Sequence, residues 1–241
     1  MSESSKKTFE EIQVQSIEQF VIEVSKKTGS YFRGVSNKDY KLIPAIGRGK
    51  AIKLNSLIDI ESGMLKQFKL RAIPFLNYHP KNDWEWLMLG QHHGMSTRLL
   101  DWTMNPLVAL YFACISDTNT DGAVYSLSNI PILDLEKSPN LFDIQSNYML
   151  LPPHISVRVA AQSSWFSVSQ NPLIPLEEST EESITKYIIN SKKKSVILTF
   201  LVFRFNIGPS SLFPGLDGIC EQIAIEIEKF KDLEVRKEIN S

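Results

Sequence analysis

An α+β fold is expected from three features of this 241-residue chain. Segments with apolar residues at helical spacing are interspersed with short runs of strand type, and no internal repeat or low-complexity stretch orders them. The hydrophobic fraction, 43%, is enough for a sizeable core. No linker-like shift in composition divides the chain. The expectation is therefore one domain, with small mixed β-sheets packed against several helices.

Residues 1–7 read as a loose tail. Thr8-Phe9-Glu10-Glu11 has the spacing of a capping box, and Ile17, Phe20, Val21 and Val24 recur at helical intervals until Gly29. Residues 1–29 are accordingly an N-terminal helical segment. Ser30–Val35 reads as a strand, and Pro44 and Gly47 mark an irregular loop. Leu54–Ala72 has helical periodicity, with Glu61 among its apolar positions, and Pro74 ends it. Asn82 or Asp83 caps a short helix bearing Trp84, Leu87 and Met88. Asn105-Pro106 opens the next helix, which is apolar almost all round through Ile115 and so belongs in the interior. Residues 122–127 read as a strand, and residues 129–154 are left unassigned. Short strands are expected at 157–161, 165–169 and 184–189, with a polar loop at 173–182. A helix over 192–206 stops at Gly208-Pro209. After a turn at 213–218, a last amphipathic helix runs into charge.

The net charge of -1 argues against an electrostatic grip on nucleic acid or an anionic membrane. Cys114 and Cys220 lack metal-like spacing and read as buried thiols in a reducing compartment. The first residues lack the apolar core of a secretory signal, and no run is long enough to span a bilayer, so a cytoplasmic location with no membrane partner is expected.

Chemistry concentrates between Gln91 and Leu107, where two histidines, Arg98, Asp101 and Trp102 stand beside a helix that must be buried. Polar groups so close to a buried helix are costly unless partnered or functional. Gln91 can both donate and accept, which suits recognition of an amide. One of His92 and His93 would face a ligand while the other supports it; bracing of the turn between Gly90 and Gly94 is the plainer alternative. His79 and His154 add no ligand-like spacing, so no metal is expected. Arg98 and Asp101, three apart, would form an ion pair on a helical turn.

A second focus is Arg33 in an apolar strand. Its planar, permanently charged fork suits phosphate or carboxylate, and Gly34 permits close backbone approach. A core pairing with Glu61 or Asp101 is the alternative. Arg158 and Gln162 precede Ser167 and Ser169, whose hydroxyls would hold a ribose if they converged with Arg33. Asp217, set among glycines, either aims a carboxylate from a tight turn or caps a helix. Lys192-Lys193-Lys194 reads as a solvated face.

Phe32-Arg33-Gly34, Leu42-Ile43-Pro44, Gln91-His92-His93-Gly94, the run from Thr97 to Thr103, the run from Pro106 to Ala113 and the run from Leu212 to Gly218 together resemble the FRG domain family. The resemblance covers roughly residues 30–225 and gives an FRG domain over 30–241; His93 stands where the family more often has tyrosine. The aromatic-Arg-Gly strand is also remotely similar to the first motif of arginine-type mono-ADP-ribosyltransferases, which implies that Arg33 orients NAD. Phe166-Ser167-Val168-Ser169 is similar to their Ser-x-Ser strand. For their Glu-x-Glu element, Glu226-x-Glu228 has the spacing but lies in an apparent helix, and Asp217 is a substitute.

This resemblance implies an NAD-dependent ADP-ribosyltransferase-like enzyme on an ADP-ribosyltransferase-like fold. It would transfer ADP-ribose to a macromolecular acceptor or hydrolyse NAD, as a toxin or antiphage defence effector with an antitoxin or defence-system partner. Arg33, His92 and Asp217 are its candidate catalytic residues. Arg33, Gly34, Gln91, His92, Arg98, Gln162 and Ser167 are its candidate NAD-binding residues, with Asp217, Glu61 or Asp101 supplying the carboxylate. A non-catalytic sensor of a nucleotide or phage component is the alternative. A nuclease is a third reading, disfavoured by the missing carboxylate cluster and basic balance.

Overall fold

The computed structural model describes residues 10–49, 52–76, 78–137, 140–152 and 160–240, including the side chains of all of these except 232–240. Seven strands, β1 (Glu10–Val14), β2 (Ser30–Val35), β3 (Leu99–Thr103), β4 (Gly122–Ser128), β5 (Tyr148–Leu150), β6 (Ser164–Val168) and β7 (Ser183–Ile189), form one mixed sheet. Their order is β1-β7-β4-β2-β3-β6-β5. β1 and β7 are parallel and all other neighbours antiparallel. The helices are α1 (Ile17–Ser25), α2 (Leu54–Ala72), α3 (Asp83–His92), α4 (Pro106–Cys114), α5 (Leu176–Ser179), α6 (Ser191–Phe205), α7 (Pro209–Leu212) and α8 (Leu216–Asn240). The fold is α+β, and its strands are gathered in a single sheet rather than several small ones.

The helix that organises the core is α4. Asn105 caps it, its Oδ1 accepting from the Leu107 amide at 3.0 Å, and Pro106 supplies the first turn. Val108, Ala109, Leu110 and Ala113 are buried, each large apolar side chain contributing about 1.5–3 kcal/mol. The helix lies directly on β2. A Cβ built on Gly34 would stand 1.9 Å from the Ala109 carbonyl oxygen, so only glycine allows that approach. On this face Phe20, Phe32, Leu110, Tyr187 and Leu201 pack together, with Phe20 and Tyr187 edge to face at 5.6 Å. Strand alternation sends Tyr125 and Leu127 to the opposite face, where they meet Trp102. A third cluster joins α2 and α3 to β3 and β6 through Leu65, Trp84, Leu87, Leu99 and Phe166.

Several expectations change. The chain from Glu10 to Val14 is strand, not helix, because it completes the edge of β7 in parallel register. The helix starts only after Ser16, whose Oγ accepts from the Gln19 amide; Thr8 and Phe9 lie outside the described residues. Arg98 and Asp101 do not share a helical turn, since Asp101 belongs to β3. His92 and His93 close α3 rather than sitting in an extended segment. Residues 129–154 contribute β5, α5 interrupts the polar loop, and Cys220 is exposed while Cys114 is buried. The strand expected at 157–161 falls mostly on residues 153–159, outside the described set.

Lys194 is the largest departure from the solvated face expected of the lysine run. It is fully buried, and its Nζ donates to the carbonyls of Ser36 (2.5 Å), Ser116 (3.1 Å) and Asp117 (3.0 Å). Two of those oxygens follow the end of α4, where the helix dipole favours a cation. Burial pushes the Lys194 amine below its ordinary value. Among the described residues, no helix is long and apolar enough to cross a membrane.

Candidate functional site

The sheet has a weak seam. β2 pairs with β4 from Ser30 to Val35 and β3 pairs with β6 from Leu99 to Thr103, yet β2 and β3 meet only where Phe32 faces Thr103. A continued ladder would set Gly34 opposite Asp101. Instead the Arg33 side chain fills the gap, its Nη1 donating to the Asp101 carbonyl oxygen at 2.6 Å.

A cavity of about 280 Å³ opens at this seam, lined by Arg33, Gln91, His92, Asp101, Gln162 and Phe166 among others. A second, of about 430 Å³, lies on the other side of Arg33, with Tyr40, Lys41, Ile43 and Arg48 on its walls. The two share Arg33, Gly34 and Phe112. Because Gly34 lets α4 approach, Phe112 reaches both.

The polar groups around Arg33 form a directed chain. Thr97 Oγ1 donates to Gln91 Oε1 at 2.6 Å, and Gln91 Nε2 donates to Asp101 Oδ2 at 3.1 Å. The same carboxylate oxygen stands 3.6 Å from Arg33 Nη1. Asp101 is nonetheless open, its side chain 59% exposed against 17% for Arg33. Burial lowers the pKa of the Arg33 guanidinium, Asp101 raises it and nearby Arg48 lowers it; an arginine so placed stays charged. His92 ends α3, its ring edge to face with that of His93 at 5.2 Å. Gln162 lines the same cavity, its Nε2 donating to the Leu212 carbonyl at 3.0 Å while its backbone carbonyl accepts from Thr103 Oγ1 at 2.7 Å.

Arg33, Gly34, Gln91, His92 and Gln162 are thus brought together, and three other sequence candidates are not. Arg98 is 1% exposed and lines neither cavity. Its Nε donates to Glu61 Oε2 at 2.6 Å, its backbone amide to Glu61 Oε1 at 2.9 Å and its Nη1 to the Leu141 carbonyl at 3.2 Å, while its guanidinium lies over the Phe142 ring. That pairing also removes Glu61 as a cleft carboxylate. Ser167 is turned to the opposite face of β6 from Phe166, its Oγ accepting from the Trp102 indole N–H at 2.8 Å. Asp217 is exposed in the first turn of α8 and lines neither cavity.

The carboxylate that does line the cleft is Asp101. Burial pushes the Cys114 thiol up to about 12, which leaves it protonated and unsuited to nucleophilic work. Among the described residues no three His, Cys, Asp or Glu side chains gather as a metal site. Arg48 escaped the sequence reading because residues 44–47 signal only a loop. Nothing local to them announces that Arg48 comes close to Arg33.

Residues 28–122 match the family model of the FRG domain. The chain carries an FRG domain here, and the matched stretch extends from just before β2 through α4 to the first residue of β4 and holds Arg33, Gly34, Arg48, Gln91, His92 and Asp101. No curated protein and no solved structure matches the chain.

Proposed function

We propose that the Arg33 cleft takes NAD as substrate and that the protein is an ADP-ribosyltransferase-like enzyme. The observation that carries this reading is the junction itself: a fixed guanidinium stands between two adjoining cavities, beside an exposed carboxylate. Arg33 would hold a phosphate of the dinucleotide through charge-assisted hydrogen bonds. The Gln91 and His92 side would take the nicotinamide ribose. In the reaction the bond from the ribose C1′ to the nicotinamide nitrogen breaks, and its electron pair leaves with nicotinamide. Positive charge grows on the sugar, and Asp101 is the group poised to stabilise it. A nucleophile then bonds to C1′ and releases its proton; water gives ADP-ribose, and a macromolecular acceptor gives a modified product. On this reading the chain acts on cellular or phage macromolecules, and an antitoxin or defence-system partner would restrain it.

Mass spectrometry of NAD incubated with the protein, alone and with cell lysate, tests the proposal. Wild-type protein should release nicotinamide, and Arg33→Ala should not. Intact NAD with the wild type in both settings would overturn it.

One observation favours a second reading. Asp101 is already engaged by Gln91 and Arg33, as suits a rigid binding pocket that senses a nucleotide without turning it over. ADP-ribose that raises the melting temperature without any NAD loss supports this alternative.

A further inference from the structure

The larger cavity adjoins the first through Arg33, and its other walls are specific. Arg33, Lys41 and Arg48 supply three cations, and no acidic side chain lines it among the described residues. Asp117, near the wall, is occupied: its Oδ2 accepts from Ser36 Oγ at 2.5 Å and from Tyr40 Oη at 3.2 Å. Lys41 is partly offset by Glu178 at 3.1 Å. Arg48 has no ion-pair partner among the described residues, and it is anchored instead by Nε donating to the Ile43 carbonyl at 2.8 Å. Arg48 and Arg33 line the same cavity. Arg33 is partly offset from its other side by Asp101 at 3.6 Å, so Arg48 is the cation of this cavity left without an acidic partner among the described residues, a positive charge that an anion would relieve.

The remaining walls are apolar or aromatic, with Val35, Ile43, Phe112 and Ile115. A volume of about 430 Å³ exceeds what a bare phosphate needs and lies in the range of cofactor and nucleotide pockets.

We infer that this cavity binds a nucleoside diphosphate group, with Arg48 and Arg33 clamping the phosphates and the apolar wall receiving the nucleoside. The inference rests on the NAD reading for its role in catalysis, where it assigns the diphosphate and one nucleoside of the substrate to this second cavity and to Arg48. As a binding statement it stands without turnover.

Isothermal titration with ADP, ADP-ribose and inorganic pyrophosphate tests it on the full chain. ADP and ADP-ribose should bind the wild type, and pyrophosphate alone more weakly. Arg48→Gln should weaken ADP at least tenfold, the order expected for losing one charge-assisted contact. Arg48→Lys, which keeps the charge but not the fork, should fall between. Lys192→Gln removes an equal charge from the exposed start of α6 and should change nothing. Failure of the wild type to bind ADP, or equal losses in Arg48→Gln and Lys192→Gln, would overturn the inference. Circular dichroism verifies that each variant is folded. If NAD is cleaved with an unaltered KM in Arg48→Gln, this assignment fails while the enzyme reading survives. If ADP binds through Arg48 and NAD is never cleaved, the enzyme reading fails and this one stands.

Discussion

Arg33 donates to the backbone carbonyl of Asp101 across the one place where the central strands of the sheet part. A side chain thereby does the work of a missing ladder bond, and the same guanidinium faces both cavities. Arg33→Lys keeps the charge but cannot hold the carbonyl and present a planar fork together. Losing a hydrogen bond to a charged group is worth about 1.5–3 kcal/mol, so under the proposed NAD cleavage kcat/KM should fall roughly 10- to 100-fold. Steady-state nicotinamide release measures this.

Under the proposed NAD cleavage, Asp101 and Asp217 make competing claims to be the reactive carboxylate, and position separates them. Asp101 lines the cleft and Asp217 lies outside it. Asp101→Asn should lower kcat on the order of 100-fold, as expected for removal of one group that stabilises developing charge. Asp217→Asn should leave kcat unchanged. The reverse pattern in the same assay would relocate the chemistry to the start of α8.

Glu61 and Arg98 are a buried pair that fastens α2 to the entrance of β3. Glu61→Ala strands a positive charge in the core and should cost about 3–5 kcal/mol, read by urea denaturation. Replacing both partners with apolar residues of similar volume should recover most of that loss, because the desolvation penalty of two charges disappears with them.

Gly34 and Gly63 form a matched contrast. At Gly34 a methyl group would collide with the Ala109 carbonyl, a backbone atom that cannot turn aside, so Gly34→Ala should destabilise by about 3 kcal/mol or more. At Gly63, exposed in the middle of α2, a Cβ meets nothing within 4 Å. Gly63→Ala should stabilise by about 0.5–1 kcal/mol through the helical preference of alanine. Thermal melts of the two variants should shift in opposite directions.

Asp121 sets part of the acid limb of stability. Its Oδ1 accepts from the Ser191 amide at the start of α6 and its Oδ2 from Lys38 Nζ, and these bonds hold its carboxyl below the ordinary range. A carboxyl lowered on folding stabilises the native state above the unfolded value, about 3.9, and loses that contribution as pH falls through the lower folded value. The melting temperature of wild type should therefore exceed that of Asp121→Asn by a constant amount at neutral pH. The difference should shrink below about pH 4. A difference that grows on acidification would contradict the assignment.

Much of this molecule is written in neighbouring residues. The bounds of β2 and α2, the cap at Asn105 and the burial of α4 follow from alternation, helical spacing and a proline at a first turn, because such signals act over a few positions. The FRG resemblance rests on the same stretches. The partners of the charged groups are another matter. Arg33 finds Asp101 at 68 positions, Arg98 finds Glu61 at 37 and Lys194 finds Ser36 at 158. Glu10–Val14 becomes a strand because β7 offers it an edge, against a local pattern that favours helix. Hydrogen bonds and Coulomb attraction depend on distance in space, which a linear pattern does not carry. Folding alone chose Asp101 over Asp217 as the acid of the cleft, turned Arg98 and Ser167 away from it, and brought Arg48 beside Arg33.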